Sequence, residues 1–307
     1  MGKISFLLAG QGSQYPGMGK ELYEDIPEAG SFFDKAEALR PGTLKQMFEG
    51  SEEELKKTVN TQPCVFLADM AAAIALEKEG IIPDAVAGFS LGEIAGLAVS
   101  GLLTGEEAFK LVTVRGSLMQ TAAEKVKGKM AAVLRMDKDE LEDVCREAGV
   151  YPVNYNCPGQ IVVSGSEEKM DAFCEELGKR KVRFVNLPVG GAFHTPFMES
   201  ASEGLEKELS EGRYAFADTE RILYSDLNAL PYPAGNEERI KAISKQVSGS
   251  VMWEDIIKNM AEDGVDTFIE CGPGNTLSGF VKRTLKDVRI FNVSDRESLK
   301  NTLEGLK

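Results

Sequence analysis

Histidine is almost missing from this chain. Among 307 residues there is one, His194, and tryptophan also occurs once. A single imidazole cannot assemble a typical zinc site, and the cysteines do not make up the difference, so no metal is expected. The five of them (Cys64, Cys145, Cys157, Cys174 and Cys271) are odd in number and form no C-x-x-C pair. That suits a reducing cytoplasm and argues against a disulfide framework. No run of about 18 apolar residues occurs, so no membrane span is expected. Residues 64–76 come nearest, and Asp69 interrupts them. The apolar run at 4–9 is too short for a signal-peptide core and leads into glycine turns, so it reads as a buried strand. Basic residues are in deficit, 35 against 49 acidic ones, for a net charge of −14. Nucleic acid is therefore not an expected partner. An acidic partner would need a local basic patch.

Apolar residues make up 43% of the chain, enough for a large core. Strand-like segments at 4–9, 85–88 and 267–270 alternate with helical ones at 62–78, 91–100, 106–126 and up to about 285. This alternation predicts an α/β fold with a largely parallel sheet. Residues 127–188 read differently. Strands at 130–134, 153–155, 161–164 and 182–187 enclose helices at 138–148 and 167–178, in the order βαββαβ of a ferredoxin-like unit. The expected division is a large α/β domain of residues 1–126 and 189–307, with 127–188 inserted.

The segment Gly88-Phe89-Ser90-Leu91-Gly92 has the G-x-S-x-G pattern of a nucleophile elbow, with an apolar strand before it and an apolar helix after it. Such a turn lifts the serine hydroxyl above the sheet and aims free helix N–H groups at a reacting carbonyl. The five residues alone also fit an ordinary strand–helix turn. A serine nucleophile needs a base, and His194 is the only histidine available. It lies in Gly190-Gly191-Ala192-Phe193-His194-Thr195-Pro196, where Thr195 reads as an N-cap and Pro196 as a first helical residue. A place just before a helix N-terminus would lower its pKa and keep it neutral. No Asp or Glu stands out as the group that orients it.

Arg115 falls in the middle of the apolar face formed by Ala108, Leu111, Val112, Leu118, Met119 and Ala122. A buried guanidinium calls for a carboxylate partner. Two partners are open: Glu93 as a structural counter-ion, or the free carboxylate of a dicarboxylic acyl group. The loop Gly10-Gln11-Gly12-Ser13-Gln14-Tyr15 follows a strand but fails as a dinucleotide fingerprint at Tyr15, and as a P-loop at Met18. It remains a source of backbone N–H groups for an oxyanion hole, together with Leu91.

Taken together, GQGSQYPGMG, GFSLGEIAGL, VRGSLMQ, PVNYNCPGQIVVSG, GAFHTPFM and ECGPGNTLSGFVKR resemble the malonyl-CoA:acyl carrier protein transacylases of fatty acid biosynthesis. The resemblance spans residues 10 to about 283. It implies a hydrolase-like α/β domain with an inserted ferredoxin-like domain and the active site in the cleft between them. It implies Ser90 as the acylated nucleophile, His194 as the base and Arg115 as the clamp on the malonyl carboxylate. The Gln11 and Leu91 N–H groups become the oxyanion hole. Gln246 would orient His194 through its main-chain carbonyl, and Asn156 would line the cleft. Phe193, in Gly191-Ala192-Phe193-His194, matches versions that select malonyl units. Malonyl-CoA and acyl carrier protein become the expected partners, with no metal or bound cofactor. One departure is Phe89, since the family usually has histidine there; that position cannot serve proton transfer in this chain. The other is Ala9 at the start of the glycine loop, where the family commonly has proline.

Two other readings use the same residues: an acyl hydrolase passing its acyl group to water, and a non-catalytic docking subunit. For an acidic carrier, two basic clusters are candidate docking sites: Lys282, Arg283, Lys286 and Arg289, or Lys179, Arg180, Lys181 and Arg183.

Overall fold

The computed structural model describes residues 2–307. Strand β1 (Lys3–Leu8) is followed by helices α1 (Lys20–Asp25), α2 (Pro27–Leu39), α3 (Thr43–Glu49), α4 (Glu52–Leu55) and α5 (Thr58–Lys78). Then come β2 (Ala85–Gly88), α6 (Leu91–Val99) and α7 (Gly105–Lys125). The middle of the chain is β3 (Gly128–Leu134), α8 (Lys138–Ala148), β4 (Tyr151–Cys157), β5 (Gln160–Ser166), α9 (Glu167–Lys179) and β6 (Arg183–Asn186). A one-turn 3₁₀ helix (Pro196–Met198) leads into α10 (Glu199–Ser210), β7 (Ile222–Tyr224), α11 (Asn236–Gln246) and α12 (Trp253–Glu262). The chain closes with β8 (Val265–Cys271), α13 (Thr276–Thr284), β9 (Arg289–Val293) and α14 (Arg296–Leu306).

Five strands form one sheet in the order β7-β2-β1-β8-β9, and every pairing in it is parallel. The period-two alternation of each strand splits its side chains between two covering layers. Phe6, Leu8, Val86 and Ile269 pack with α5, α6 and α7, while Leu7, Ala87 and Phe268 pack with α12 and α13. The second sheet, β4-β5-β3-β6, is antiparallel throughout, which is the ferredoxin-like order. One face of it, with Ala131, Val133 and Val163, packs on α8 and α9. The other, with Met130, Ala132 and Val162, joins the large core and faces the cleft.

Helix α5 starts at Thr58, four residues before the sequence pattern placed it, with Pro63 inside. A proline there cannot donate to the Val59 carbonyl, and Arg40 Nη2 donates to that oxygen instead, at 3.4 Å. By length and composition α5 is apolar enough to cross a membrane, but 89% of its most apolar stretch is buried within this fold.

Two joints set the second sheet over the first. Val251 N–H donates to Val153 O (2.7 Å) and Tyr155 N–H to Val251 O (2.9 Å), tying β4 to the segment before α12. At the other end Lys127 bridges Gly191. A Cβ on Gly128 would lie 2.2 Å from Ala192 N, so the chain can pass here only as glycine.

Candidate active site

Ser90 stands between the end of β2 and the start of α6 with φ 56° and ψ −102°. A non-glycine residue held there stores about 1–3 kcal/mol of strain. The flanking glycines make the turn possible. A Cβ on Gly88 would lie 2.0 Å from the Gly92 carbonyl, and one on Gly92 would lie 2.4 Å from Leu8 O. The turn puts Ser90 Oγ 2.8 Å from His194 Nε2. On the far side of the ring, Nδ1 is 3.0 Å from both Gln246 O and Gly249 O. Carbonyl oxygens only accept, so Nδ1 carries the proton and Nε2 presents its lone pair to the serine hydroxyl. His194 also has a positive φ of 61°, a second strained residue within the same site.

Burial pushes the His194 pKa down to about 4, and the charge of Arg115 adds to the shift; the two carbonyl contacts oppose it. His194 also stands where the sequence placed it, just before a helix N-terminus: Thr195 Oγ1 accepts from Phe197 N–H at 3.3 Å and caps the 3₁₀ turn Pro196–Met198, which runs directly into α10 (Glu199–Ser210).

Arg115, in α7, has no exposed surface. Its Nη2 donates to Ser90 Oγ at 3.1 Å and to Gln246 Oε1 at 2.7 Å. Nε and Nη1 have no partner among the described residues. Glu93, one of its two candidate partners, does not pair with it. One Glu93 oxygen accepts from Tyr232 OH and the other from Asp226 N–H at 2.7 Å. Asp226 Oδ2 in turn accepts from Ser90 N–H (2.6 Å) and from Gln246 Nε2 (3.0 Å). Burial raises Glu93 to about 7 and Asp226 well above the usual carboxylate range, with mutual repulsion also raising Asp226; Arg115 lowers both.

The remaining residues named from sequence fall around this centre. Among the described residues, the N–H groups of Gln11 and Leu91 donate to no acceptor, and both residues line a cavity of about 70 Å³ beside Ser90 and His194. Phe193, Met119 and Met130 form its apolar wall. Asn156 lies farther out, in an adjoining cavity of about 350 Å³ that shares Gln11, Phe89 and Asn154 with the inner one. Asn154 is the inner residue that sequence reasoning missed. It sits two positions before Asn156 on β4, so the strand period was the available signal. Asp226 was missed as well: it follows β7, a three-residue strand too short to register as a pattern. Phe89 packs edge-on against Trp253 with ring centres 5.3 Å apart, and lines both cavities. Among the described residues no group of three or more His, Cys, Asp and Glu is placed to hold a metal ion.

A serine, its base and a buried cation beside unpartnered N–H groups make up an acyl-transfer site. The acyl transferase domain model matches residues 5–301. The chain is 38% identical to the malonyl CoA-acyl carrier protein transacylase of Bacillus subtilis (strain 168), over 100% of this chain and 98% of that one. The chain belongs to the malonyl CoA-acyl carrier protein transacylase family. Among solved members, the transacylase from Clostridium perfringens superposes with a TM-score of 0.93 at 38% identity, covering 99% of this chain and 97% of that one. A malonyl-transacylase solved in complex with a type II polyketide acyl-carrier protein superposes with a TM-score of 0.93 at 29% identity, covering 99% of each chain. The backbone carbonyls of Gln246 and Gly249 stand behind His194, where many serine hydrolases place an aspartate.

Proposed function

We propose that this chain transfers the malonyl group of malonyl-CoA to the phosphopantetheine thiol of an acyl carrier protein, through a malonyl ester on Ser90. The observation that carries the reading is Arg115. Among the described residues its direct partners are Ser90 Oγ and Gln246 Oε1, both neutral, and two of its N–H-bearing nitrogens are unpartnered beside the nucleophile. A buried cation in that state favours an acyl group that brings its own carboxylate.

Ser90 Oγ attacks the thioester carbonyl as its proton passes to His194 Nε2. The oxyanion is held by the Gln11 and Leu91 N–H groups. The C–S bond breaks, and the CoA sulfur takes the proton from His194. The carrier thiol then gives its proton to His194 and attacks the malonyl ester. Its C–O bond breaks and Ser90 recovers the proton. The pantetheine arm fits the outer cavity of about 350 Å³. No metal or prosthetic group takes part in these steps. Cytoplasmic residence belongs to the same reading, supported by five free thiols of which four are buried and by the reducing compartment they suit.

The test is intact-mass analysis after mixing with malonyl-CoA. The expected result is a malonyl adduct on Ser90 that is discharged on adding carrier protein. Transfer by an enzyme that never becomes modified would reject the mechanism. Loss of the adduct to water at the same rate without carrier would make the chain a hydrolase.

A further inference from the structure

We propose that Asp226 is the positioning residue of this site, holding the nucleophile and Gln246 in register through one carboxylate oxygen. The proposal rests on Ser90 being the acylated nucleophile, but not on the acyl group being malonyl.

Asp226 is fully buried at the C-terminal end of the parallel sheet, just past β7. Its backbone is anchored on both sides. The N–H donates to Glu93 Oε2 at 2.7 Å, and the C=O accepts from Met252 N–H at 2.8 Å. The carboxylate is therefore a fixed point in the molecule. Its Oδ2 accepts from Ser90 N–H at 2.6 Å, bracing the residue at φ 56° that presents the hydroxyl.

The same oxygen accepts from Gln246 Nε2 at 3.0 Å. The Gln246 amide has one possible sense here, because its Nε2 also faces the Ser90 carbonyl, which only accepts, and its other end faces Arg115, which only donates. With Nε2 toward Asp226 and Ser90 O (2.7 Å), the amide oxygen is left facing Arg115 Nη2 at 2.7 Å. The backbone carbonyl of the same Gln246 takes the His194 Nδ1 proton. One carboxylate oxygen thus stands behind the nucleophile, the base and the cation, while touching none of the reacting atoms. Groups held in this way need only a small displacement to lose a large part of their rate.

The full chain is reacted with a fluorophosphonate probe, which modifies an activated serine whatever the natural acyl group. The readout is the rate constant at Ser90, since an unfolded fraction lowers the labelling endpoint and not the rate. Asp226→Asn keeps an acceptor oxygen in place; Asp226→Ala removes it. The expected result is a D226A rate at least ~30-fold below wild type, with D226N within ~3-fold of it. D226A within ~3-fold of wild type, or D226N at full endpoint but slowed ~30-fold, would overturn the proposal. If D226A does not fold, the D226N rate decides by the same limits. Wild type that labels at Ser90 but takes no malonyl from malonyl-CoA defeats the malonyl reading and leaves the test of Asp226 standing. Wild type that does not label at Ser90 defeats both.

Discussion

Two buried side chains with unusual protonation behaviour carry the residue-scale chemistry. Arg115 is held near Ser90 by neutral partners while Glu93 and Asp226 supply only charge at a distance, and burial lowers its pKa to about 10, still well above neutral. It therefore stays cationic and open to one more anion. Arg115→Ala should lower kcat/KM for malonyl-CoA relative to acetyl-CoA by roughly 100-fold, about the 3 kcal/mol of charged hydrogen bonds to one carboxylate. A ratio within about threefold of wild type would remove the clamp. His194 is the complementary case. With its pKa near 4, it stays neutral and competent at pH 5.5, where an ordinary histidine is about nine-tenths protonated. Acylation by malonyl-CoA should keep at least about half its neutral rate at pH 5.5. A limb centred near 6.5 in a stopped-flow pH profile would contradict this. The same shift acts on stability. Unfolded His194 takes a proton below its usual 6.5 and the folded residue does not until about 4. Its contribution to stability therefore declines as pH drops through that window.

At the scale of elements, the strand–turn–helix from β2 to α6 was the most legible part of the chain. The G-x-S-x-G pattern is a direct result of the space around it, since neither Gly88 nor Gly92 leaves room for a Cβ. Gly92→Ala would press on the carbonyls of Leu8 and Ala9 at 2.4 and 2.7 Å, where β1 runs into the loop that carries Gln11. Overpacking of this kind costs about 1–3 kcal/mol. The melting temperature should fall, and transfer should fall further, by at least about 100-fold, because the Gln11 N–H moves with that loop. A G92A enzyme with wild-type melting temperature and rate would show that the turn is not tight. The ferredoxin-like segment was equally readable, because its strands and helices each have clear periods. Strand β7 was not readable: three residues carry no periodicity, and its role comes from pairing with β2 at the sheet edge.

At the scale of the whole molecule, charge decides where a carrier can dock. Lys179 and Arg180 are spent locally, paired one turn back with Glu175 and Glu176. Lys282, Arg283 and Lys286 are exposed and, among the described residues, have no acidic partner within 4 Å, although the chain carries −14 overall. Arg283 Nη1 also donates to Gln160 Oε1 at 2.6 Å, at the rim of the outer cavity. The double charge reversal Lys282→Glu with Arg283→Glu should raise KM for carrier protein about tenfold and leave KM for malonyl-CoA within about twofold. Equal effects on the two substrates would reject this face. The sequence by itself singled out Ser90, His194 and the fold class, and the structure brings the two side chains within 2.8 Å. A strained serine turn needs its glycines nearby in the chain, a lone histidine leaves no choice of base, and strands and helices write their periods locally. Only the tertiary structure decided what surrounds them. Glu93 is taken by Tyr232 and Asp226, which leaves Arg115 open, and Asp226 comes to lie behind Ser90 from 136 residues away. Partners so distant in the chain leave no local pattern. They are set by the order of strands in the parallel sheet, which brings the ends of β1, β2 and β7 to one edge of the cleft.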